Sequence, residues 1–494
     1  MKNKIKLAPE HRRIFRLVEE AAFGNPFAPE REQLLRKFAG MKEGISLKPK
    51  DLSIPVVEEI IQKLHLKGTA DFRLYKDNDK RLVRIALLYD SFYRFINDFD
   101  ELIKSQIKAG DVSVTVQFAQ DVVDLLQNRG FKHDEAVRYL AFFYQLRRAF
   151  YFIDKTLVGH SQPMRKLRSH LWADIFTQDP RWYENFLWNR MEDFSTFLVG
   201  ETGTGKGTAA AALGRSGFIP YLEKKRQFAE SFTRNFIEIN LSQFPETIIE
   251  SELFGHKKGS FTGAVEDHKG VFSRCGKYCA ILLDEIGDIS ISVQIKLLKV
   301  LQERSFTVVG GHLIERFQGR VIAATNKSLD NLRREGKFRD DFYYRLCSDI
   351  IQVPSLREQI KEDPGTLGIL LNHTVERIIG EPAQELALEL QNIILTEVGL
   401  EYKWPGNVRE LEQAARRILL TKHYQGDQCE ASAEIVPAKF LKDIEDGSIT
   451  AQDLLTSYCN MLYGKYGTYE KVAQITKLDR RTAKKYITAD QKEG

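Results

Sequence analysis

The chain has 494 residues, which is too long for one compact core and predicts about three domains. Apolar residues make up 43% of the sequence and charged residues 29%, values that are typical of globular proteins and exclude disordered and collagen-like chains. The net charge of +5 is too small to indicate nucleic-acid binding by itself, while five scattered cysteines and the lack of a long apolar segment predict a cytoplasmic protein with no membrane contact.

Residues 1–153 are rich in aromatic and aliphatic side chains at helical spacing. One predicted helix carries apolar residues along a single face: Ala136, Leu140, Phe143 and Phe150. Val122 and Leu125 mark a helix before it. The apolar runs at 82–89 and 112–118 are predicted to be strands. We interpret this region as a mainly helical domain for regulation or dimerisation.

Residues 154–425 alternate short apolar runs with helical segments. Four such runs precede polar residues, at 196–199, 236–239, 280–283 and 321–324. This is the pattern of buried parallel strands, so we predict an α/β fold. A polar, acidic linker is expected at 426–454, followed by a small helical domain at 455–494.

A glycine-rich loop follows the first of these runs and precedes a helical segment. Its residues are Gly200, Glu201, Thr202, Gly203, Thr204, Gly205 and Lys206, and Gly207 and Thr208 come next. Strand, loop and helix in this order form a phosphate-binding loop, whose lysine contacts the β- and γ-phosphates. The hydroxyl residue that usually follows the lysine is replaced by Gly207, so magnesium must rely on other groups, such as Thr208 or water. The alternative, a chance glycine-rich turn, fits the flanking strand and helix poorly.

Two carboxylates, Asp284 and Glu285, end the apolar run at 280–283. Ligands of parallel sheets bind at the carboxyl ends of strands, which places Asp284 to hold magnesium and Glu285 to polarise a water for attack on the γ-phosphate. Acidic residues are also common at helix N-termini, so the pair by itself is weak evidence. Together with the phosphate-binding loop, it indicates a catalytic site.

The run ESELFGHKKGSFTGA at 250–264 resembles the central motif of bacterial enhancer-binding proteins, the AAA+ ATPases that activate sigma-54 RNA polymerase. Further matching stretches lie at 301–304, 324–326, 338–346, 354–358 and 404–411, so that the resemblance covers about 158–420. It implies a P-loop ATPase domain with a parallel sheet and a helical lid at about 355–425. It also implies ATP and Mg²⁺ as cofactors and assembly into a ring, expected to be a hexamer, with ATP between subunits.

By this resemblance, one loop contacts sigma-54. Its residues are Gly259, Ser260, Phe261, Thr262, Gly263 and Ala264, hereafter the 259–264 loop, with Phe261 and Thr262 at the tip. Ser260 stands where the family usually has alanine. From the residues alone, a hairpin tip buried within the domain is the alternative.

The resemblance also assigns residues around the two acids. Asn240 is implied to restrain Glu285 until the nucleotide state and the partner release it, while Thr325 and Asn326 are implied to sense the γ-phosphate. Without the family, Asn240 is equally an asparagine that caps a turn.

Three arginines complete the implied site. Arg339 and Arg345 are implied to reach the nucleotide of the neighbouring subunit, and Arg409 to act as a second sensor on the lid. The alternative for Arg339 and Arg345 is a surface ion pair. The alternative for Arg409 is a place on a helix face.

Two segments depart from the family pattern. Residues 179–193 look inserted, and the basic, aromatic segment 216–234 is expected to be a peripheral loop. Cys275 and Cys279 lack the spacing of a zinc site and are interpreted as core or surface residues.

The C-terminal segment predicts two short helices, at 469–475 and 479–487, joined by a turn. The second helix carries the candidate DNA contacts Arg480, Arg481, Thr482, Lys484 and Lys485. The segment resembles the Fis-type helix-turn-helix of the same family, which implies double-stranded DNA upstream of promoters as a partner. A solvated basic helix is the alternative.

Taken together, these features predict a sigma-54-dependent transcriptional activator of bacteria, whose ATP hydrolysis remodels the polymerase complex. Two alternatives stay open. One is a ring ATPase that remodels a different protein or nucleic acid, and the other is a DNA-binding repressor with an inactive ATPase domain. An unknown signal or partner is expected at residues 1–153.

Overall fold

The computed structural model describes residues 4–39, 49–426 and 449–489. The chain divides into a large unit, Met1–Tyr424, and a small unit, Gln425–Gly494. Among the described residues, every helix is too short or too polar to cross a membrane.

The described N-terminal region is helical. Its helices are α1 (Pro9–Phe23), α2 (Glu30–Ala39), α3 (Pro49–Leu66), α4 (Asp77–Arg94), α5 (Ile96–Ala109), α6 (Ala119–Asn128) and α7 (His133–Thr156). The two helices predicted from apolar spacing are therefore confirmed as α6 and α7. The two predicted strands are wrong, because residues 82–89 lie within α4 and residues 112–118 form a loop. A short apolar run does not distinguish a buried strand from a buried helix, and residues 82–89 bury helical neighbours such as Leu82 and Ala86.

A five-stranded parallel sheet forms the centre of the large unit. Its strands are β1 (Thr196–Val199), β4 (Phe236–Asn240), β5 (Ala280–Asp284), β8 (Arg320–Thr325) and β9 (Asp349–Gln352). They lie in the order β4–β5–β8–β1–β9. Outside this sheet, β6 (Ser305–Thr307) and β7 (Ile314–Arg316) form an antiparallel hairpin. The four predicted strands are confirmed and so is the α/β class. Strand β9 was missed because only two of its residues, Ile350 and Ile351, are apolar.

Helices cover both faces of this sheet. The central helices are α8 (Gln162–Phe176), α9 (Pro180–Trp182), α10 (Lys206–Gly214), α11 (Glu246–Phe254), α12 (Val271–Arg274), α13 (Ile291–Glu303), α14 (Leu329–Arg334) and α15 (Asp340–Leu346). On one face, Ala210 of α10 and Leu282 of β5 share a continuous apolar core with the N-terminal helices. On the other face, a second core includes Cys275 and Cys279, which are therefore core residues.

The segment 216–234 packs against the N-terminal region through its aromatic residues, so the expectation of a peripheral loop is wrong for that part, while the hairpin tip at 222–226 is exposed. It contains a short antiparallel hairpin of β2 (Tyr221–Leu222) and β3 (Gln227–Phe228). The ring of Phe228 stacks on Tyr144 of α7 with centroids 4.1 Å apart, and Phe232 packs edge-on against Phe152 at 5.2 Å. Aromatic residues in this segment are thus explained by packing against the N-terminal region.

Four helices form a separate apolar core that corresponds to the predicted lid. They are α16 (Leu356–Glu362), α17 (Gly365–Ile379), α18 (Gln384–Glu397) and α19 (Asn407–Thr421). Helix α16 begins at a capping box, in which the hydroxyl of Ser355 accepts from the amide of Glu358 and the Glu358 carboxylate accepts from the amide of Ser355.

The small unit contains α20 (Ala451–Tyr466), α21 (Tyr469–Thr476) and α22 (Arg480–Ala489) around a small apolar core. The last two helices agree with the prediction. Helix α20 begins within the segment predicted to be a linker, where the hydroxyl of Thr450 caps it by accepting from the amide of Asp453. The linker residues 427–448 and the C-terminal residues 490–494 lie outside the described part of the chain.

Candidate functional site

The glycine-rich loop and the start of α10 form the first part of the site. Gly203 and Gly205 have φ angles of +78° and +96°, which side chains rarely adopt. The buried ammonium of Lys206 donates hydrogen bonds to the carbonyls of Gly200, at 2.8 Å, and Glu201, at 3.1 Å. Burial lowers the pKa of Lys206, and the nearby charges of Glu285 and Asp284 oppose that shift. The lysine is thus enclosed between its loop and the two acids.

The two acids lie where β5 ends. A carboxylate oxygen of Asp284 accepts from the amide of Glu285 at 3.0 Å, and Glu285 has a φ angle of +54°. Such a backbone is strained for a residue with a side chain, and residues of this kind cluster at functional sites. Burial and the negative charge of Asp284 raise the pKa of Glu285, which gives this carboxylate a stronger hold on a proton than an ordinary glutamate has.

The residues after β8 connect the acids to the loop. The amide of Asn326 donates to Glu285 Oε2 at 3.4 Å, and its side-chain amide donates to the hydroxyl of Thr202 at 2.8 Å. Thr325 is fully buried, and its carbonyl accepts from the amide of Gly200 at 3.4 Å. Asn326 therefore contacts both the phosphate-binding loop and Glu285. Its role as a sensor of the γ-phosphate stays a prediction.

Asn240 ends β4 directly beside Asp284 of β5. Its side-chain oxygen accepts from the amide of Ser242 at 3.0 Å and from the Ser242 hydroxyl at 2.7 Å. In this conformation, Asn240 caps its own turn, which is the plainer of the two interpretations made from the sequence. Its restraint of Glu285 stays a prediction.

The lid contacts the phosphate-binding loop through residues to which the sequence analysis assigned no role, although they lie within its matching stretches. The buried amide of Asn407 donates to Glu201 Oε2, at 3.1 Å, and to the carbonyl of Thr202, at 3.0 Å. The amide of Val408 donates to the carbonyl of Gly203 at 3.1 Å. Arg357 forms an ion pair with Glu201, which lowers the pKa of that carboxyl.

Arg409 follows these contacts at the start of α19. A Cβ built on Gly203 would lie 3.0 Å from the Cβ of Arg409, so Arg409 lies on the side of the lid that faces the phosphate-binding loop. Its role as a second sensor stays a prediction.

The remaining two arginines contact groups of their own chain. Arg339 precedes α15 and forms an ion pair with Asp341, with nitrogen and oxygen 2.7 Å apart. The guanidinium of Arg345 donates to the carbonyl of Leu301 at 2.7 and 3.0 Å. Their role toward a neighbouring subunit stays a prediction.

The 259–264 loop lies on the surface, and its aromatic tip is not a buried hairpin. Gly259 and Gly263 have φ angles of +81° and +106°, and the amide of Gly259 donates to the carbonyl of Ala264 at 2.8 Å. Phe261 is 41% exposed, with its ring edge-on to His256 at 4.9 Å. An exposed aromatic residue between two flexible glycines suits contact with a partner.

In the small unit, α22 presents its basic residues to solvent. The exposed side chains are those of Arg480, Arg481, Lys484 and Lys485. Arg480 pairs with Glu470 of α21 at 2.7 Å, and Lys484 lies 5.7 Å from the ring centroid of Tyr469. The hydroxyl of Thr482 donates to the carboxylate of Asp479, which caps the helix, so this residue is engaged within the unit.

Comparison with known proteins identifies the central region. Residues 184–352 match the sequence profile of the Sigma-54 interaction domain. The Nif-specific regulatory protein of Azotobacter vinelandii is 39% identical over 268 residues, which cover 54% of this chain and 44% of that protein. The DNA-binding transcriptional regulator NtrC of Azospirillum brasilense is 39% identical over 226 residues, 46% of this chain and 43% of that protein.

Among solved structures, NtrX from Brucella abortus aligns with 75% of this chain and 79% of that one, at 20% identity and a TM-score of 0.39. The chain spans less than half the length of the two curated relatives above. The predicted resemblance to sigma-54-dependent enhancer-binding proteins is confirmed for the central region.

Proposed function

We propose that this chain is a bacterial, cytoplasmic transcriptional activator that hydrolyses ATP to remodel a sigma-54 RNA polymerase complex. The proposal is carried by one observation: the region that matches the Sigma-54 interaction domain holds both the phosphate-binding loop with its two acids and an exposed 259–264 loop. The first provides the energy and the second provides the contact with the partner.

ATP is proposed to bind with its phosphates along the glycine-rich loop. Lys206 then exchanges the carbonyls of Gly200 and Glu201 for phosphate oxygens. The negative charge of the phosphate stabilises the ammonium, which burial has removed from water. The carboxylate of Asp284 fits Mg²⁺, which prefers oxygen ligands, and bound Mg²⁺ would neutralise charge on the β- and γ-phosphates.

Glu285 is proposed to orient the attacking water and take its proton. Its raised pKa suits that role, because a base works best when its pKa lies near the operating pH. Asn326 is in contact with both Glu285 and the loop, so it can report the presence of the γ-phosphate to the base.

Assembly into a ring is proposed to complete the site. Arg339 or Arg345 of a neighbouring subunit would stabilise the charge of the transferred phosphoryl group, an effect worth roughly 10³–10⁵ in rate in related enzymes. The side chain of Arg339 is partly exposed and pairs with Asp341, two residues along the chain, so it can be released toward a neighbour.

The small unit is proposed to bind double-stranded DNA upstream of promoters. The support is the exposed basic row of α22, preceded by a short turn and a second helix, which is the arrangement of a helix-turn-helix. The N-terminal helices are proposed to receive the regulatory signal, because they share an apolar core with α10.

The first experiment measures ATP hydrolysis by the full chain, together with open-complex formation on a sigma-54 promoter. The variant Thr262→Ala is expected to hydrolyse ATP at the wild-type rate and to lose activation, because only the tip of the exposed loop is changed. Thr396→Ala, an exposed threonine of α18, is the matched control and retains both activities.

Activation retained by Thr262→Ala would contradict the role of the 259–264 loop. Hydrolysis without any effect on the sigma-54 polymerase would favour a ring ATPase with another target. DNA binding that represses a promoter while no ATP is hydrolysed would favour a repressor.

A further inference from the structure

The second residue of α10, Gly207, has no side chain at the position where phosphate-binding loops usually supply a magnesium ligand. A Cβ built on Gly207 shows the direction in which such a hydroxyl would point. The nearest heavy atom to that Cβ is a carboxylate oxygen of Glu238, at 3.5 Å. A carboxylate oxygen thus lies next to the place where the usual hydroxyl side chain is missing.

Strand β4 positions Glu238 there, because the strand passes along the side of α10. At the C-terminal end of the helix, a Cβ built on Gly214 would lie 2.4 Å from the ring of Phe236. Two residues later on the strand, Glu238 points to the same face and lies level with Gly207, at the phosphate end of the helix. In the paired strand β5, Leu282 lies opposite Glu238, and Asp284 lies opposite Asn240.

We propose that Glu238 helps to hold the magnesium ion of bound ATP and takes the place of the hydroxyl that Gly207 lacks. Asp284 provides the carboxylate at the end of β5, and Glu238 accepts a hydrogen bond from a water of the ion. This arrangement agrees with the tendency of Mg²⁺ to keep several waters and to use one or two carboxylates together with substrate phosphates.

The described residues contain no cluster of three or more metal-ligating side chains, so an ion here depends on the nucleotide for part of its ligands. The inference therefore rests on the proposed function only in requiring that the chain binds a nucleoside phosphate with Mg²⁺. A purely structural role for Glu238 would be attraction of Arg215, whose charge faces the same groove.

The test measures binding of Mn²⁺, a spectroscopic substitute for Mg²⁺, to the full chain saturated with ADP, by electron paramagnetic resonance of the free ion. Glu238→Gln keeps the size of the side chain and removes its charge. It is expected to weaken Mn²⁺ binding about tenfold, the lower end of the range for residues that act through a metal's outer ligands. ADP affinity in EDTA, measured by calorimetry, is expected to stay unchanged.

The rescue variant is Gly207→Ser in the Glu238→Gln background, which is expected to restore Mn²⁺ affinity. The serine Cβ makes an ordinary contact at 3.5 Å, and the backbone at Gly207 requires no positive φ angle. Glu385→Gln, an exposed glutamate at the start of α18, controls for the change in net charge and is expected to bind Mn²⁺ as the wild type does.

Equal Mn²⁺ affinity in the wild type and in Glu238→Gln would overturn the inference. The inference would also be overturned if Glu238→Gln lost as much ADP affinity in EDTA as it lost Mn²⁺ affinity, since that result shows a structural role. Failure of the wild type itself to bind ADP would overturn the proposed function as well, and the two failures are distinguished by the calorimetry in EDTA.

Discussion

The two ends of helix α10 (Lys206–Gly214) are held by different parts of the chain. At the N-terminal end, Lys206 bonds to carbonyls of the glycine-rich loop, and the lid contacts the same loop. Just past the C-terminal end, three successive carbonyls accept hydrogen bonds from α7 of the N-terminal region. Arg148 donates to the carbonyls of Arg215, at 2.7 Å, and Gly217, at 2.6 Å, and Gln145 donates to that of Ser216 at 3.0 Å.

This contrast shows how the N-terminal region can influence the nucleotide site. The guanidinium of Arg148 is fully buried, and burial lowers its pKa to about 10, so its hydrogen bonds replace the water that it has lost. A positive charge also complements the negative end of the helix dipole. A shift of α7 would therefore act on α10, whose other end forms part of the proposed nucleotide site.

The largest effect is expected at the N-terminal end, from Glu285→Gln. Hydrolysis should fall by about 10²–10⁴, the contribution of a general base, because the amide cannot take a proton from water. ATP binding and the contact between α7 and α10 should be unaffected, since neither involves this carboxylate. A phosphate-release assay and calorimetry measure the two properties, and wild-type turnover would refute the assignment of Glu285.

Lys206→Ala should reduce ATP affinity by about 100-fold, which corresponds to about 2.7 kcal/mol and lies within the range for a charged hydrogen bond. The variant removes the positive charge of the loop and leaves the C-terminal end of α10 intact. Calorimetry with a non-hydrolysable ATP analogue measures it, and Lys361→Ala, an exposed lysine of α16, is the control. Tight binding by Lys206→Ala would contradict the phosphate-binding loop.

Arg148→Met tests the other end of the helix. It should destabilise the protein by about 3 kcal/mol, because two partly buried carbonyls lose their donor at about 1–3 kcal/mol each. Its neighbour Arg147 pairs with Asp100 of α5, entirely within the N-terminal region, and Arg147→Met is the matched control with a smaller loss. Thermal denaturation measures both.

The same pair of variants tests whether the two ends are coupled. If α7 positions the nucleotide helix, ATP affinity should fall in Arg148→Met and stay unchanged in Arg147→Met. A loss of stability in Arg148→Met with wild-type ATP affinity would show that α7 anchors the helix without influencing the nucleotide.

The two ends also differ in what the sequence predicts. Phosphate recognition uses consecutive backbone groups, so Gly203, Gly205 and Lys206 form a short motif that is recognisable without a structure. The strands next to it could be predicted as well, because both faces of a parallel sheet are buried and its strands are nearly continuous apolar runs.

The C-terminal end carries no such pattern, since Arg148 and its acceptor Arg215 are 67 residues apart in sequence. On a helix, an arginine is more often exposed than buried, and nothing in the residues near Arg148 marks it as fully buried. Glu238 was missed for the same reason: its place beside Gly207 depends on the order of the strands and the position of α10 on the sheet.

The smallest effect is expected from the lid. Arg357 and Glu201 form an ion pair whose side chains are 44% and 43% exposed, and exposed pairs contribute about 0–1 kcal/mol. Arg357→Gln should therefore change ATP affinity less than about fivefold, the factor that corresponds to 1 kcal/mol, and the change should shrink as salt is raised. Calorimetry at low and high salt measures it. The buried amide of Asn407 also holds Glu201, so the lid should stay in contact with the loop when the ion pair is removed. A much larger loss of ATP affinity in Arg357→Gln would mean that the ion pair itself holds the lid in place. It would also mean that the lid chiefly stabilises the nucleotide end of α10.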